Sequence, residues 1–231
     1  MAITKTITDT GVKYDQGLRD YMISVYNQMS AGLAISGIIA YTISSVPALT
    51  ALFLGGPQAW FFLLAPLGLV FWLSWKINTL SVSAAKTAFY AYAALMVVSL
   101  STLFIVYQLG SIFQVFLITS VMFLATSLYG YTTKRDLTGI GSFLIMGLIG
   151  LIVASIVNLF MQSSALTFAI SCIGVLIFTG LTAYDTQKIK EIYHQTSGDN
   201  RAKAGIMGAL NLYLDFVNLM IYMLQLIGQR K

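Results

Sequence analysis

The chain is 231 residues long, 58% hydrophobic and only 9% charged, with a net charge of +5. A water-soluble domain carries roughly 25% charged residues, so these few charges could not cover a surface facing water. The small basic excess contains no Lys/Arg cluster interleaved with aromatic residues, which argues against nucleic-acid binding, and a single cysteine, Cys172, excludes an internal disulfide.

In chain order, residues 1–23 form a polar, charged arm without an apolar run or a small-residue cleavage site, so the sequence predicts no cleaved signal peptide and an uncleaved first span. Apolar blocks then follow at Ser24 to Ser45, Gln58 to Trp75, Thr87 to Gln108, Phe113 to Tyr131, Ser142 to Met161, Leu166 to Tyr184 and Gly205 to Gly228. A helix needs about 20 such residues to cross a ~30 Å hydrocarbon layer. The expected fold is therefore an all-α membrane protein with seven transmembrane helices in one domain over residues 24–228, ending in a short tail over 229–231. Strands of a β-barrel would be shorter and would alternate with polar residues, a pattern absent here. Gly32, Ser36, Gly37, Gly147 and Gly150 are small residues that let helices approach closely in lipid.

The basic residues fall in alternate connections. Lys5, Lys13 and Arg19 lie in the arm, Lys76 and Lys86 in the second connection, Lys134 and Arg135 in the fourth, and Lys188, Lys190, Arg201 and Lys203 in the sixth. These are eleven of the 13 basic residues, and they predict a cytoplasmic N-terminus. Seven spans then place the C-terminus on the other side. Arg230 and Lys231 run against that, and a last segment that dips in without crossing would relieve the conflict.

Enzyme constellations fail one by one, and the reading is that the chain is not an enzyme and has no resident cofactor. The lone His194 has no second His and no Cys at ligand spacing. No embedded His accompanies the serines, and no glycine-rich loop with a lysine could cradle phosphate. The GxGD sequence of intramembrane aspartyl proteases is missing, because Ala183-Tyr184 precede Asp185 and Tyr213-Leu214 precede Asp215.

Those two aspartates are the acidic residues embedded in, or at the edge of, the last two apolar segments. An acid in hydrocarbon costs several kcal/mol unless it is protonated, paired or facing water. Mutual pairing satisfies both: two carboxylates in contact share one proton and titrate as a unit in two macroscopic steps. Asp215 also centres a stripe of Asn211, Asn218, Tyr222 and Gln225 at helical spacing, which predicts that the last helix is central and turns this polar lining inward. Interhelical hydrogen bonding is the plainer reading of that stripe. Asp185 lies one turn from Lys188, whereas Asp215 lies eight residues beyond Met207, roughly 12 Å along a helix. Bringing them level requires tilt or a helix that begins outside the apolar layer.

The blocks MSAGLAISGIIAY, FYAYAALMVVSLSTLFIVY, SLYGYTTKRDL, GSFLIMGLIGLIVASIVN, GLTAYDTQKIK and GALNLYLDFVNLM, in this order and spacing, resemble the bacterial branch of the Bax inhibitor-1 family over nearly the whole chain. The resemblance implies seven helices around a central last one, in the bacterial inner (plasma) membrane. It also implies a pH-sensitive calcium leak whose sensor is the pair that maps onto Asp185 and Asp215, the two oxygen donors that a passing Ca²⁺ would meet. Relatives carry an arginine at the end of the second helix that pairs with these acids, and a glutamate earlier in it. The segment WFFLLAPLGLVFWLSWKIN has neither, so Lys76 is the candidate cation partner, as a point charge without the arginine fork.

Three classes of function follow. The first is an ion leak gated by the acid pair. The second is an interaction protein that modulates membrane-protein partners, such as a membrane protease or stress and cell-death machinery, without flux of its own. The third is a proton-coupled transporter, which would be expected to show paired Gly/Pro interruptions that this chain lacks.

Overall fold

The computed structural model describes residues 15–231. The basic residues Lys5 and Lys13 of the arm lie outside that range. Among the described residues there are eight helices and no strands: α1 (Gln16–Ser45), α2 (Pro47–Leu54), α3 (Gln58–Lys76), α4 (Val82–Val106), α5 (Leu109–Thr132), α6 (Thr138–Met161), α7 (Ser164–Gln195) and α8 (Gly198–Ile227). All except the short α2 are long and apolar enough to cross a membrane, which makes seven spans.

Local chemistry sets the boundaries. Asp15 caps α1 by accepting the Leu18 N–H at 2.9 Å, and Ser81 and Ser163 cap α4 and α7 in the same way, on Ala84 and Leu166. Asp136 accepts the Thr138 N–H at 2.8 Å, which sets the first turn of α6. The side-chain and backbone hydrogen bonds from Thr138 hold this exposed carboxyl below its usual range. At its other end α6 stops on Gln162, whose φ of 49° turns the chain left-handed.

α8 is the central helix. In its apolar stretch 61% of residues are buried, against 39% or less in every other span. Its N-terminal half, from Ile206 to Val217, closes one core with α1 and α4; beyond it Leu219, Met223 and Leu224 close a second with α5, α6 and α7. Asp215 sits near the junction of the two. α1 buries a single stripe, Leu18, Met22, Val25, Met29, Gly32, Ser36, Ala40 and Ile43, whose steps of three and four residues keep it on one helical face, toward α4 and α8. There the Ser36 hydroxyl bonds the Tyr213 hydroxyl at 2.7 Å and donates to the Ala93 carbonyl at 2.8 Å, joining α1, α4 and α8 without a charge.

α8 crosses the whole bundle. Near its start the Lys203 ammonium donates to the Asn78 carbonyl after α3. Past its end, the N–H groups of Gln108 and Lys231 donate at 2.9 Å to the carbonyls of Gln229 and Val106, at the α4–α5 connection on the opposite face. The last segment therefore does not dip and return, and Arg230 and Lys231 stand at the far end from Lys188 and Lys203. The small residues divide as well. A Cβ on Gly32 would press on the Phe89 ring and one on Gly147 would touch Ile177, whereas Gly37 and Gly150 face open space.

Candidate functional site

The stretch from Tyr184 to Lys190 on α7 carries a task at almost every position. Tyr184 packs so closely on Gly141 of α6 that a Cβ there would collide with its ring. The Thr186 hydroxyl bonds Ser127 of α5 at 3.0 Å, and Ser127 in turn bonds the Tyr26 hydroxyl of α1. Gln187, 8% exposed, accepts the Leu137 N–H at 2.8 Å and donates to the Arg135 carbonyl at 2.7 Å. Lys190 donates to the Tyr131 carbonyl at 2.9 Å, meeting an otherwise unpaired acceptor in the last turn of α5. The α5–α6 connection is thereby fixed to α7 by side chains one turn from Asp185.

Gln187→Ala would leave the Leu137 N–H and the Arg135 carbonyl without their partner at a buried position. A loss of about 1–3 kcal/mol in folding stability is expected, read as a lowered thermal midpoint in detergent.

Asp185 and Asp215 are neighbours across the α7–α8 contact, close enough for the charge of one to act on the other. Their meeting follows from the α7–α8 register, in which Ile189 lies over Gly208 and Tyr222 over Gly174 on either side. The depth offset is closed because α8 starts at Gly198, well before its apolar stretch. Asp215 is 4% exposed, and its Oδ2 meets no N–H or O–H donor among the described residues. Such an oxygen is costly as a bare charge and satisfied by a shared proton.

The pair is reached from one side. A cavity of about 480 Å³ is lined by Asp185, Lys188, Lys203, Asn78, Asn200 and Asn211, among others. Asp185 forms part of its wall and Asp215 lies behind. Past Asp215, α8 presents buried Leu219, Met223 and Leu224, packed with Phe178 and Leu181. The vestibule, whose wall mixes these polar groups with Ile77, Ile189, Ile192 and Met207, thus ends at Asp185, and a plug of hydrocarbon side chains lies beyond Asp215.

Two sequence expectations need correction here. Of the residues read as a polar lining, Asn211 alone shares the vestibule with Asp185. Asn218 donates to the Leu214 carbonyl of its own helix at 2.8 Å, and Tyr222 stacks on Phe178 at 5.8 Å. Gln225, at the end of the stripe, accepts from Ser171 at 2.8 Å. The second correction concerns Lys76, which is exposed with its Nζ 5.0 Å from the Trp75 ring centroid. Lys188 is the cation whose charge acts on Asp185, from the same cavity wall. Sequence position placed Lys76 at the right end of the bundle, but the side chain turns to the aromatic face beside it. For a metal ion the inventory is small: among the described residues no group of three or more His, Cys, Asp or Glu side chains converges.

The sequence comparisons agree with this architecture. The family described as "Inhibitor of apoptosis-promoting Bax1" matches residues 18–231. An uncharacterised protein of Rickettsia prowazekii is 45% identical over 231 residues, covering 99% of this chain and 98% of its own. The inner membrane protein YbhL of Escherichia coli K12 is 43% identical over 228 residues, 97% of each chain, and an uncharacterised protein of Borreliella burgdorferi is 44% identical over 214 residues, 91% of this chain and 92% of its own.

Proposed function

We propose, since the chain belongs to the Bax inhibitor-1 family, that it is a pH-sensitive calcium leak of the bacterial inner membrane, gated by Asp185 and Asp215. The observation that carries this reading is the buried, unpartnered carboxyl of Asp215 next to Asp185, which lines the vestibule. The similar YbhL is an inner membrane protein, and the alternation of basic connections supports a cytoplasmic N-terminus and a vestibule open to the cytoplasm.

The mechanism follows from charge. With one proton shared, the pair carries a single negative charge and holds α7 to α8. When pH rises and that proton leaves, two charges face each other in a poorly solvated space, and their repulsion favours any arrangement that admits water or a cation. Ca²⁺ takes six to eight oxygen ligands. Two carboxylates with the amide groups of Asn78 and Asn211 supply too few for tight capture, as suits an ion in passage rather than a resident metal.

The test is calcium flux into proteoliposomes holding the full chain, measured from pH 5 to pH 8. Flux that rises with pH supports the leak. Absence of flux at every pH would discard it in favour of an interaction protein acting on membrane partners. Lys188→Gln should move the rise to higher pH, because a cation beside a carboxylate favours its ionised form. Lys76→Ala, which removes a charge outside the vestibule, should leave the curve in place.

A further inference from the structure

Two hydroxyls inside the bundle have no partner. Thr119 of α5 is fully buried, and its Oγ1 and the Oγ1 of Thr179 on α7 are sealed from solvent and form no hydrogen bond among the described residues. A threonine or serine inside a helix commonly donates to the carbonyl four residues back. The neighbours do so: Ser120 and Thr126 on α5, and Ser171, Thr182 and Thr186 on α7. A buried donor left unmade costs stability, so two of them call for a reason.

The two stand at one level. α5 and α7 run the same way, since Tyr131 and Lys190, each near the end of its helix, meet on the vestibule side. The Ser127–Thr186 hydrogen bond fixes their register. Thr119 lies eight residues before Ser127 and Thr179 seven before Thr186, each roughly 10–12 Å deeper along its helix. Thr119 belongs to the buried stripe Val115, Thr119, Phe123, Ser127 and Gly130. Thr179 lies on the side of α7 that carries Ala183 and Thr186, the residues that meet Gly130 and Ser127. The two threonines therefore stand on facing sides of one seam. α8 closes it, because Phe216 packs edge-on to Phe116 and Phe123, at 5.6 and 5.5 Å, and these rings bracket Thr119. Asp215, whose Oδ2 is a third unpartnered atom, adjoins Phe216.

We propose that the route beyond Asp215 runs along this seam, with the Thr119 and Thr179 hydroxyls lining it and standing in for water around the passing cation. The inference rests on the proposed leak. Each hydroxyl has its proton and both lone pairs uncommitted, and its oxygen is of the kind that Ca²⁺ takes as a ligand. Among the described residues, α5 and α7 exchange side-chain hydrogen bonds at Lys190–Tyr131 and Ser127–Thr186 and none deeper. Parting them at Thr119 thus breaks no hydrogen bond and gives two hydroxyls a partner. Farther along α5 and α7, Ser171 bonds Gln225 and Ser111 accepts the Gln229 N–H, four residues apart at the end of α8. Polar groups so continue past the apolar plug to the far face.

The test labels single cysteines with a charged, water-soluble methanethiosulfonate at pH 8, in proteoliposomes holding the full chain with Cys172→Ser. Thr119→Cys and Thr179→Cys should react about tenfold faster than Val121→Cys, on the exposed side of α5, because only a hydrated thiol becomes the reactive thiolate. Rates no faster than that of Val121→Cys would overturn the seam. Thr119→Val keeps the shape and removes the hydroxyl. It should lower calcium flux at pH 8 about tenfold, the worth of one hydrogen bond to an ion, with the thermal midpoint level or raised, and Thr119→Ser should keep the wild-type flux. Unchanged flux in Thr119→Val, or an equal fall in Thr119→Ser, would overturn the part given to the hydroxyl. Should the wild type pass no calcium at any pH, the leak falls by its own test, and labelling still decides whether the seam admits water.

Discussion

Asp185→Asn and Asp215→Asn are each expected to flatten the pH dependence of calcium flux while leaving the folded yield unchanged. A step governed by loss of one proton changes at most about tenfold per pH unit, and the variants should stay within about twofold from pH 5 to pH 8. Asparagine keeps the size of the side chain and can donate the hydrogen bond that a shared proton would supply, so the change would report lost ionisation and not lost packing. The two single variants should resemble each other and the double variant, because groups that share a proton act as one unit and their effects do not add. A wild-type pH profile in both single variants would make the pair structural glue and remove the gate from the proposal.

The second large effect concerns Gly130. It crosses α7 so closely that a Cβ would run into the Ala183 carbonyl oxygen, backbone against backbone, with no flexible side chain to yield. Gly130→Ala must push α5 off α7 two residues from Asp185, straining the Ser127–Thr186 bond as it does so. Overpacking of this kind costs about 1–3 kcal/mol and sometimes more. The thermal midpoint in detergent should fall sharply, and Gly130→Val should give little folded protein. Gly150→Ala is the control: it has open space around it, and removing a glycine from a helix should leave stability level or raise it by about 0.5–1 kcal/mol. Equal midpoints for Gly130→Ala and wild type would show that the two helices do not approach this closely.

Most of the fold was readable because the bilayer punishes polar backbone so heavily that apolar length alone marks a span. Hydropathy failed wherever helix and hydrocarbon part company. Pro47–Leu54 forms a helix too short to cross, bounded by Val46-Pro47 and Gly55-Gly56, which read as a plain connection. α7 runs eleven residues past the expected end at Tyr184 and α8 starts seven before Gly205, because charged residues end an apolar run without ending a helix. Asp185 and Asp215 stood out for the opposite reason, as carboxylates in an apolar segment are rare. What sequence could not supply was direction. Periodicity set Asn218 and Tyr222 in line with Asp215, yet Asn218 bonds a carbonyl one turn back on its own helix and Tyr222 stacks on the Phe178 ring of α7. Thr186, Gln187 and Lys190 were passed over although they adjoin Asp185, since an uncharged or lone basic side chain near a helix end carries no signal until its acceptor is known.

The two cores that meet along α8 also bear on how the protein is made. α8 follows the other seven helices in the chain, and both cores need it. As spans leave the ribosome in order, α1 to α4 and α5 to α7 must wait in the bilayer as half-assemblies, with their centres filled by lipid or water and Asp185 facing no acid. Insertion of the final helix displaces that filling and completes both halves in one event. The polar residues of α8 are thus shielded by neighbours already in place, and a ribosome that stalls before Gly205 leaves no independently finished half behind.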